Sequence, residues 1–394
     1  MADQTATSSL VADRPNVSLI RGGPFYRLQH YSHLLDEDQW NIGRRIIFVI
    51  AVGWAPLLIM KLLFDRGNLV PLLRDYGVNA RIFLAVPVLI IGQPLMEAHF
   101  RLIVEHVHKV RLLDETGLAK VKRIISEMMR LGDSVFPEII ILLLIAIRTS
   151  TAYQSLVVDS PWMIYRTGND FHLNLAGWYT VLVTATIFQF LLGLNLWKWL
   201  LWTIFAFRFS RLNLRVVATH PDENGGLGFL GMTPLAFAPI AFATTLVIGA
   251  TFRREILHHS AHLKDFMLPG IVLVAIFAIL ALGPLVFFVP RLAKVRRRGI
   301  LDYAVLGQLQ STDFHDKWVV HRADHEAEFM GAPEISTLCD YGSAYQNVEN
   351  MKPFPTDRGA LAGLAIAILI AALPTVIAQI PLVVILKQLL GALR

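Results

Sequence analysis

Residues Phe266–Pro290 read FMLPGIVLVAIFAILALGPLVFFVP, 25 consecutive residues without a charged side chain. An α-helix rises about 1.5 Å per residue, so about 20 apolar residues cross the roughly 30 Å hydrocarbon core of a bilayer. The helices of soluble domains usually keep one polar face toward water, and this stretch has none. It therefore predicts a membrane-spanning helix, and it decides the fold class of the chain.

Similar apolar runs recur along the 394 residues, of which 55% are hydrophobic and 17% charged. Soluble domains contain about 25% charged residues, so the composition excludes an ordinary soluble protein. Six further runs are present, of which the second is short and the third contains Arg148: Ile46–Phe64, Ile82–Met96, Ile139–Val158, Leu175–Trp197, Met232–Phe252 and Gly359–Leu386. We predict an all-α, polytopic helical membrane protein with about seven transmembrane helices and two helical cytoplasmic loops.

Lysine and arginine are distributed unevenly between the two sides of this predicted bundle. Of the 36 such residues, 24 lie in the alternate segments that include the N-terminal tail, and 10 lie in the others. Basic residues favour the cytoplasmic side of a membrane, so we place the N-terminus in the cytoplasm. The first 24 residues lack the apolar segment of a cleavable signal peptide.

The runs and the charge distribution together predict an order of segments. The chain starts with a cytoplasmic tail and interfacial helix (1–43), transmembrane helices 1–2 (44–97), cytoplasmic amphipathic helices (98–134) and transmembrane helices 3–4 (135–205). A cytoplasmic glycine-rich elbow (206–231), transmembrane helices 5–6 (232–290), a cytoplasmic helical loop (291–357) and a proline-broken transmembrane helix 7 (358–394) follow. Pro374 and Pro381 leave two alternatives for the last run: one kinked span that ends outside, or a broken or re-entrant pair.

Both long cytoplasmic loops have a helical pattern of apolar residues. In 98–131 the pattern is broken at 114–117, which predicts two helices. In 300–350 one helix contains Leu301 and Val305, and a second begins near Pro333. Amphipathic helices of this kind could recruit a soluble partner.

Arg148 is the most unusual residue of the third run. A guanidinium in the hydrocarbon costs at least about 2.5–3.5 kcal/mol, so we expect Arg148 to turn inward. Thr151 and Ser155 share its helix face, which suggests an anion-attracting wall of a permeation pathway. The alternatives are a buried ion pair with a distant carboxylate, or a span that ends near Arg148.

Glu97 and Glu138 lie at one predicted membrane boundary, at the end of the second run and the start of the third. Two carboxylates there could form an entry for a cation or a proton. The alternative is helix-end charge matching, because Glu138 follows Pro137 in a first helical turn, where a carboxylate is favoured.

Histidines and a basic run offer weaker signals. His321, His325 and Glu328 share a helix face, and His258, His259 and His262 form a second group. Imidazoles at i and i+4 can share a metal ion, but no His-Glu-x-x-His motif, cysteine pair or third ligand accompanies them, and solvated histidines are the alternative. We predict no metal, no cofactor and no catalytic residue. The basic run 291–298 could bind anionic lipid headgroups, or it could act only as a stop signal after a span.

The segment Thr219–Leu230 carries the densest group of polar residues and glycines between apolar runs. Its candidate gate or ligand residues are His220, Asp222, Gly225, Gly226 and Gly228. Glycine-rich backbone can expose successive N–H groups as an anion nest, and the acidic residues could instead gather a cation or gate a vestibule. The structural alternative is a rigid turn between two spans.

The sequence HPDENGGLGFL at 220–230 resembles a signature of polytopic bacterial inner-membrane proteins that are usually left uncharacterised. The stretch from Gly283 to Gly299 and the helix that carries Asp313, Lys317 and Trp318 are also similar, so the likeness covers about 205–390. The resemblance implies a bacterial origin and an inner-membrane location, and it implies no activity for any residue.

Polar residues within the spans, Gln93, Arg148, Gln189 and Asn195, favour a channel or transporter for a small ion or polar solute. The alternative is a non-transporting scaffold or sensor that recruits a cytoplasmic partner through its helical loops. The lipid bilayer is the expected environment, and a homo-oligomer is compatible with both hypotheses. The net charge of +6 comes mostly from residues beside apolar runs, so it does not indicate nucleic-acid binding.

Overall fold

The apolar runs form helices in the computed structural model, which describes residue 18 and residues 21–36, 40–110, 112–157, 161–167, 170–321 and 333–379. Within these ranges the α-helices are α1 (Pro24–Tyr31), α2 (Ile42–Phe64), α3 (Leu69–Arg74), α4 (Tyr76–Ala80), α5 (Val86–Lys109), α6 (Glu115–Gly132), α7 (Phe136–Val157), α8 (Leu175–Tyr179), α9 (Ala185–Ser210), α10 (Thr233–His258), α11 (Met267–Val286), α12 (Val289–His315), α13 (Pro333–Asn350) and α14 (Arg358–Ile377). Turns of 3₁₀-helix lie at Arg66–Asn68, Pro161–Met163, Gly228–Met232 and Leu263–Phe266, and π-helical turns at Arg81–Ala85, Thr180–Thr184 and Asp316–Val320.

Six helices among the described residues are long and apolar enough to cross a membrane. They are α2, Tyr76–Val107, Leu175–Ser210, Gly228–His258, Leu263–Val286 and α14. The predicted fold class is thereby confirmed, and the chain is an integral, multi-pass membrane protein. The run that contains Arg148 is also helical, as α7, and its Leu143 and Leu144 are 58% and 60% exposed. Exposed apolar side chains of this kind contact lipid in a bilayer.

When α7 is counted with the six spans, hydrogen bonds between the helix ends place the connecting segments on two sides of the bundle. We call the side where α2 begins the near side and the opposite one the far side. On the near side the Arg215 N–H donates to the Leu112 carbonyl over 2.7 Å, and the Lys352 N–H donates to the Glu223 carbonyl over 2.6 Å. These bonds join segments that are far apart in sequence into one near-side layer.

Four helices begin at an aspartate or asparagine that caps the first turn. The side chains of Asp75, Asp114, Asn174 and Asp357 accept hydrogen bonds from the backbone N–H three residues later. Each cap satisfies one of the unpaired N–H groups of a helix start, which is worth about 1 kcal/mol. The cap at Asp114 explains the predicted break between the two helices of 98–131.

The far side carries the two-stranded hairpin β1 (Ile164–Thr167) and β2 (Asp170–Leu173), which the helical pattern did not predict. Lys61 of α2 holds it: the ammonium donates to the Trp162 carbonyl over 2.6 Å and to Asp65 over 2.8 Å. Lys61 is only 2% exposed, so its ammonium is buried beneath the hairpin.

On the near side, α6 packs its apolar face against α9. Val121, Ile125 and Met128 are at most 4% exposed and belong to the same core as Phe205 and Phe209 of α9. Burying such a side chain contributes about 1.5–3 kcal/mol, so α6 is held by this face. The amphipathic pattern of α6 is therefore used within the chain.

The last run forms α14, a helix of 20 residues with Pro374 inside it. It lies close to α10, where the Thr375 hydroxyl donates to the Gly249 carbonyl over 2.9 Å. A Cβ at Gly249 would lie 2.6 Å from that hydroxyl, so glycine permits this close crossing. Pro381, and with it the choice between one kinked span and a re-entrant pair, lies outside the described residues.

Candidate functional site

Three buried charges meet in the near-side half of the bundle, each on a different spanning helix. Arg45 of α2, Glu97 of α5 and Lys198 of α9 are 3%, 2% and 8% exposed. Charged side chains are almost never this buried unless they are paired, and within spans they usually serve a function. We call this group, with Gln93 and Glu138, the polar cluster.

Arg45 is held by an amide and an aromatic ring. Its guanidinium donates to Gln93 Oε1 over 2.6 Å and lies 5.7 Å from the centre of the Trp40 ring. Its Nη1 is buried and has no hydrogen-bond partner within the part of the chain that the structure describes. Gln93 itself is 8% exposed, so the pair lies between the helices rather than at the membrane surface.

Glu97 and Lys198 complete the charged core of the cluster. Glu97 accepts a 2.7 Å hydrogen bond from the Ser18 hydroxyl and lies 3.5 Å from the more exposed Arg101 guanidinium. The Lys198 ammonium donates to the Gly132 carbonyl over 3.1 Å. Glu138, Asp133 and Glu97 all lie close enough to Lys198 to attract it electrostatically.

The N-terminal segment closes the near side of the cluster. The Phe25 N–H donates to both carboxylate oxygens of Glu138, over 3.0 and 3.1 Å, and the Gly23 N–H donates to Asp133 over 3.0 Å. Gly23 has φ +93°, and a Cβ there would lie 2.6 Å from the Glu138 carboxylate. Only glycine allows this close approach between the segment and α7.

A cavity of about 30 Å³ lies between Arg45, Gln93, Glu138 and Lys198. A polar cavity of that size has room for a water molecule. Two basic groups, Arg45 and Lys198, and one acidic group, Glu138, thus surround a small polar space, an arrangement that can pass or hold a proton or a small ion.

The structure brings together two of the five predicted pathway residues, Glu97 and Glu138. Glu138 does lie in the first turn of α7, as the charge-matching alternative requires, yet its carboxylate is bonded to the N-terminal segment. The sequence alone does not mark Arg45 and Lys198 as site residues. Arg45 precedes an apolar run and Lys198 lies between two tryptophans, so both look like ordinary boundary charges.

Arg148 does not turn inward, and this corrects the expectation from the sequence. Its side chain is exposed on α7, and its charge repels that of Arg81. The Thr151 hydroxyl donates to the Ile147 carbonyl of its own helix over 3.1 Å. The Ser155 side chain lies outside the described residues.

The glycine-rich loop is organised by Asp222. Its carboxylate accepts hydrogen bonds from the N–H groups of Asn224, Gly226 and Gly228 over 2.9, 3.0 and 2.8 Å. His220 Nδ1 lies 2.8 Å from the same carboxylate. The N–H groups that could have formed an anion nest are thus occupied by the chain's own carboxylate.

Gly225 and Gly226 supply the positive φ angles of this loop, +64° and +93°. A Cβ at Gly225 would lie 2.3 Å from Val216 Cγ1, and one at Gly228 would lie 2.9 Å from Asp222 Oδ2. Glu223 forms an ion pair with Lys352, which connects the loop to the segment after α13. This geometry favours the rigid-turn interpretation of the loop.

The histidine groups stay apart from the polar cluster. No group of three or more His, Cys, Asp or Glu side chains that could hold a metal occurs among the described residues. His259 Nδ1 lies 3.2 Å from Glu255, and His262 Nδ1 lies 3.2 Å from Gln379. His325 and Glu328 lie outside the described ranges.

Comparison with protein-family models, with curated proteins and with solved structures finds no match to this chain. The geometry of the polar cluster is therefore the ground for assigning a function.

Proposed function

We propose that the chain is a transporter or channel for a small ion or polar solute, with the polar cluster as its near-side binding or coupling site. The observation that supports this function is the burial of Arg45, Glu97 and Lys198 on three different spans. Burying charges in a membrane costs free energy, and spans that retain them usually line ion or proton pathways.

The cluster does not extend across the bundle in the described conformation. Between Arg81 and Gln93 the second span covers about 18 Å, at about 1.5 Å per residue. Its inward residues Ile82, Ala85 and Leu89 are fully buried and apolar. A pathway would have to open through this apolar segment, so the proposal requires a conformational change.

The π-helical turns offer a place for that change. Arg81–Ala85 and Thr180–Thr184 lie on two neighbouring spans and flank Gly53 of α2. The Thr184 hydroxyl donates to the Gly53 carbonyl over 2.7 Å, and a Cβ at Gly53 would lie 2.9 Å from Ile82 Cδ1. Turns of π-helix are frequent at functional sites, and glycine permits the close helix approach that rearrangement needs.

The test is solute flux into proteoliposomes under potassium, chloride, phosphate and proton gradients. We expect flux above that of empty vesicles, and a loss of at least tenfold in Glu97→Gln. Glu105→Gln is the matched control, because Glu105 lies on the same helix but its side chain is 41% exposed. Absence of flux under every gradient, with folded protein, would refute the proposal.

We further propose that the near side is the cytoplasm of a bacterial inner membrane, from the excess of basic residues on that side. Cys339 is the only cysteine, so a Cys339→Ser background permits labelling at single sites. Ser260→Cys on the far side should react with a membrane-impermeant maleimide in intact cells, and Ser343→Cys on the near side should not. The reverse pattern would invert the orientation.

The scaffold is the second candidate, and one observation favours it. Leu301, Val305 and Leu309 form a stripe on α12 and are 63%, 64% and 60% exposed. Recovery of a soluble partner from solubilised membranes, lost in Leu301→Gln/Leu309→Gln, would support this function. Unchanged recovery in that variant would refute it.

A further inference from the structure

A second polar site lies on the far side, distant from the polar cluster. A cavity of about 320 Å³ lies between the start of the Tyr76–Val107 span and the end of the Gly228–His258 span. Its lining includes four arginines, Arg74, Arg81, Arg253 and Arg254, and one carboxylate, that of Asp75. The described lining therefore carries a net positive charge.

Both carboxylate oxygens of Asp75 already accept a hydrogen bond. One carboxylate oxygen accepts from the Val78 N–H over 3.0 Å, and the other accepts from the Trp162 indole N–H over 2.9 Å. Asp75 attracts Arg81 electrostatically, but a single carboxylate cannot balance the arginines of the cavity.

The basic groups are arranged around the space at different depths. Arg253 lies over the Tyr76 ring, with its guanidinium carbon 4.7 Å from the ring centre. Arg74 is exposed at the rim, and Arg254 also lines the cavity. Such stacking leaves the guanidinium edge of Arg253 available for a planar, two-point contact with an anion.

Arg81 gives the strongest indication that the cavity binds an anion. Its Nε is buried and has no hydrogen-bond partner among the described residues, and the Tyr76 hydroxyl is in the same situation. Arg148 and Arg254 both repel Arg81. A buried donor without a partner costs free energy, and like charges in a poorly solvated space add to that cost. An anion bound in the cavity would accept a hydrogen bond from the buried donor and would reduce the repulsion between the arginines.

Arginine forks match tetrahedral oxyanions, because two parallel N–H groups can bond two oxygens of one ligand. The cavity is of the size that accommodates small ligands in proteins. We propose that this far-side cavity binds a phosphate-type oxyanion, either free in solution or carried by a lipid headgroup. Binding does not require that the chain transports anything.

The test is thermal unfolding of the purified full chain in a non-ionic detergent. Inorganic phosphate is compared with chloride at equal ionic strength, for the wild type, Arg81→Gln and Arg253→Gln. Arg130→Gln is the control, because it removes an exposed arginine of the near-side helix α6. A ligand that binds only the folded state raises its unfolding temperature.

We expect phosphate to raise the unfolding temperature of the wild type and of Arg130→Gln by about 2–4 °C more than chloride does. This extra rise in unfolding temperature should disappear in Arg81→Gln and should be smaller in Arg253→Gln than in the wild type. If Arg81→Gln does not fold, Arg253→Gln and the rim variant Arg74→Gln replace it, and phosphate should stabilise both of them less than it stabilises the wild type.

A second arm distinguishes the source of the oxyanion. Nanodiscs of phosphatidylglycerol are compared with nanodiscs of phosphatidylcholine, with the same variants. Stabilisation by phosphatidylglycerol alone, lost in Arg81→Gln, assigns the site to a headgroup, and stabilisation by free phosphate assigns it to a soluble ligand. If neither probe stabilises the wild type, or if both stabilise the arginine variants equally, the proposal is wrong, whatever the flux assay shows.

Discussion

The carboxylate of Asp222 accepts a 2.8 Å hydrogen bond from the backbone N–H of Gly228, six residues further along the chain. The N–H groups of Asn224 and Gly226 donate to the same carboxylate. The glycine-rich loop is therefore folded around its own anion, and the near-side layer is built on it through Glu223 and Lys352.

Replacing Asp222 should destabilise the chain. Asp222→Ala leaves partly buried N–H donors without an acceptor, at a cost of about 1–3 kcal/mol for a donor left unpaired. Asp302→Ala, which removes an exposed carboxylate from α12, should have little effect. Thermal unfolding in detergent measures both, and equal unfolding temperatures would show that the loop does not depend on Asp222.

The effect of Asp222 should depend on pH. Burial raises the pKa of Asp222, but hydrogen bonds from Gly226, Gly228, Asn224 and His220 outweigh it, so the net pKa lies below its usual value. A carboxyl with a lowered pKa stabilises the folded state above its unfolded pKa of about 3.9, and this contribution is lost as the pH falls through the folded value.

We therefore expect the difference in unfolding free energy between the wild type and Asp222→Asn to stay constant near neutral pH. It should narrow as the pH falls below about 4. Denaturation curves between pH 3 and pH 7 measure this difference. If this difference in unfolding free energy does not change between pH 3 and pH 7, the Asp222 carboxylate does not stabilise the loop through its charge.

Gly225→Ala should cost more than a positive φ alone requires. The left-handed conformation costs a non-glycine residue about 1–2 kcal/mol, and the new Cβ would also lie 2.3 Å from Val216 Cγ1. Val216→Ala removes that atom, so the double variant should recover part of the loss. Strictly additive destabilisation in the double-mutant cycle would rule out the clash.

Glu138→Ala should release the N-terminal segment from α7. The Phe25 N–H would lose its acceptor, and its hydrogen exchange should accelerate by about 10- to 100-fold, the equivalent of a hydrogen bond to a charged group. Glu105→Ala, which removes a more exposed carboxylate of α5, is the control. Protection at Phe25 that survives Glu138→Ala would mean that α1 is held by its apolar contacts alone.

Much of the fold follows from local sequence signals. Uncharged runs predict spans because the bilayer offers no partner for a charge, and the break at Asp114 predicts a helix start because its side chain caps the next turn. Local sequence signals do not predict the hairpin β1–β2, because strands of four residues are too short to show the two-residue alternation of apolar and polar side chains. Its position depends on Lys61, about 100 residues away.

The polar cluster could be predicted only in part. Glu97 and Glu138 stand out because acidic residues are rare beside apolar runs. Lys198 looks like a boundary residue between tryptophans, and only the structure shows that it is buried and donates to the Gly132 carbonyl, 66 positions earlier. The sequence predicts that Arg148 is buried, but its side chain is exposed. The sequence does not show which face of α7 packs against a neighbouring helix, and burial depends on that face.

Flux through proteoliposomes that contain Lys198→Met tests the central claim most directly. Lys198 is 8% exposed in the polar cluster, whereas the Lys109 side chain is 77% exposed, so Lys109→Met is the matched control. Methionine retains the apolar volume of lysine and removes its charge. We predict that Lys109→Met keeps wild-type flux and that Lys198→Met, folded and reconstituted to the same density, loses at least nine-tenths of it. Equal flux in the two variants would contradict a role of the polar cluster in transport.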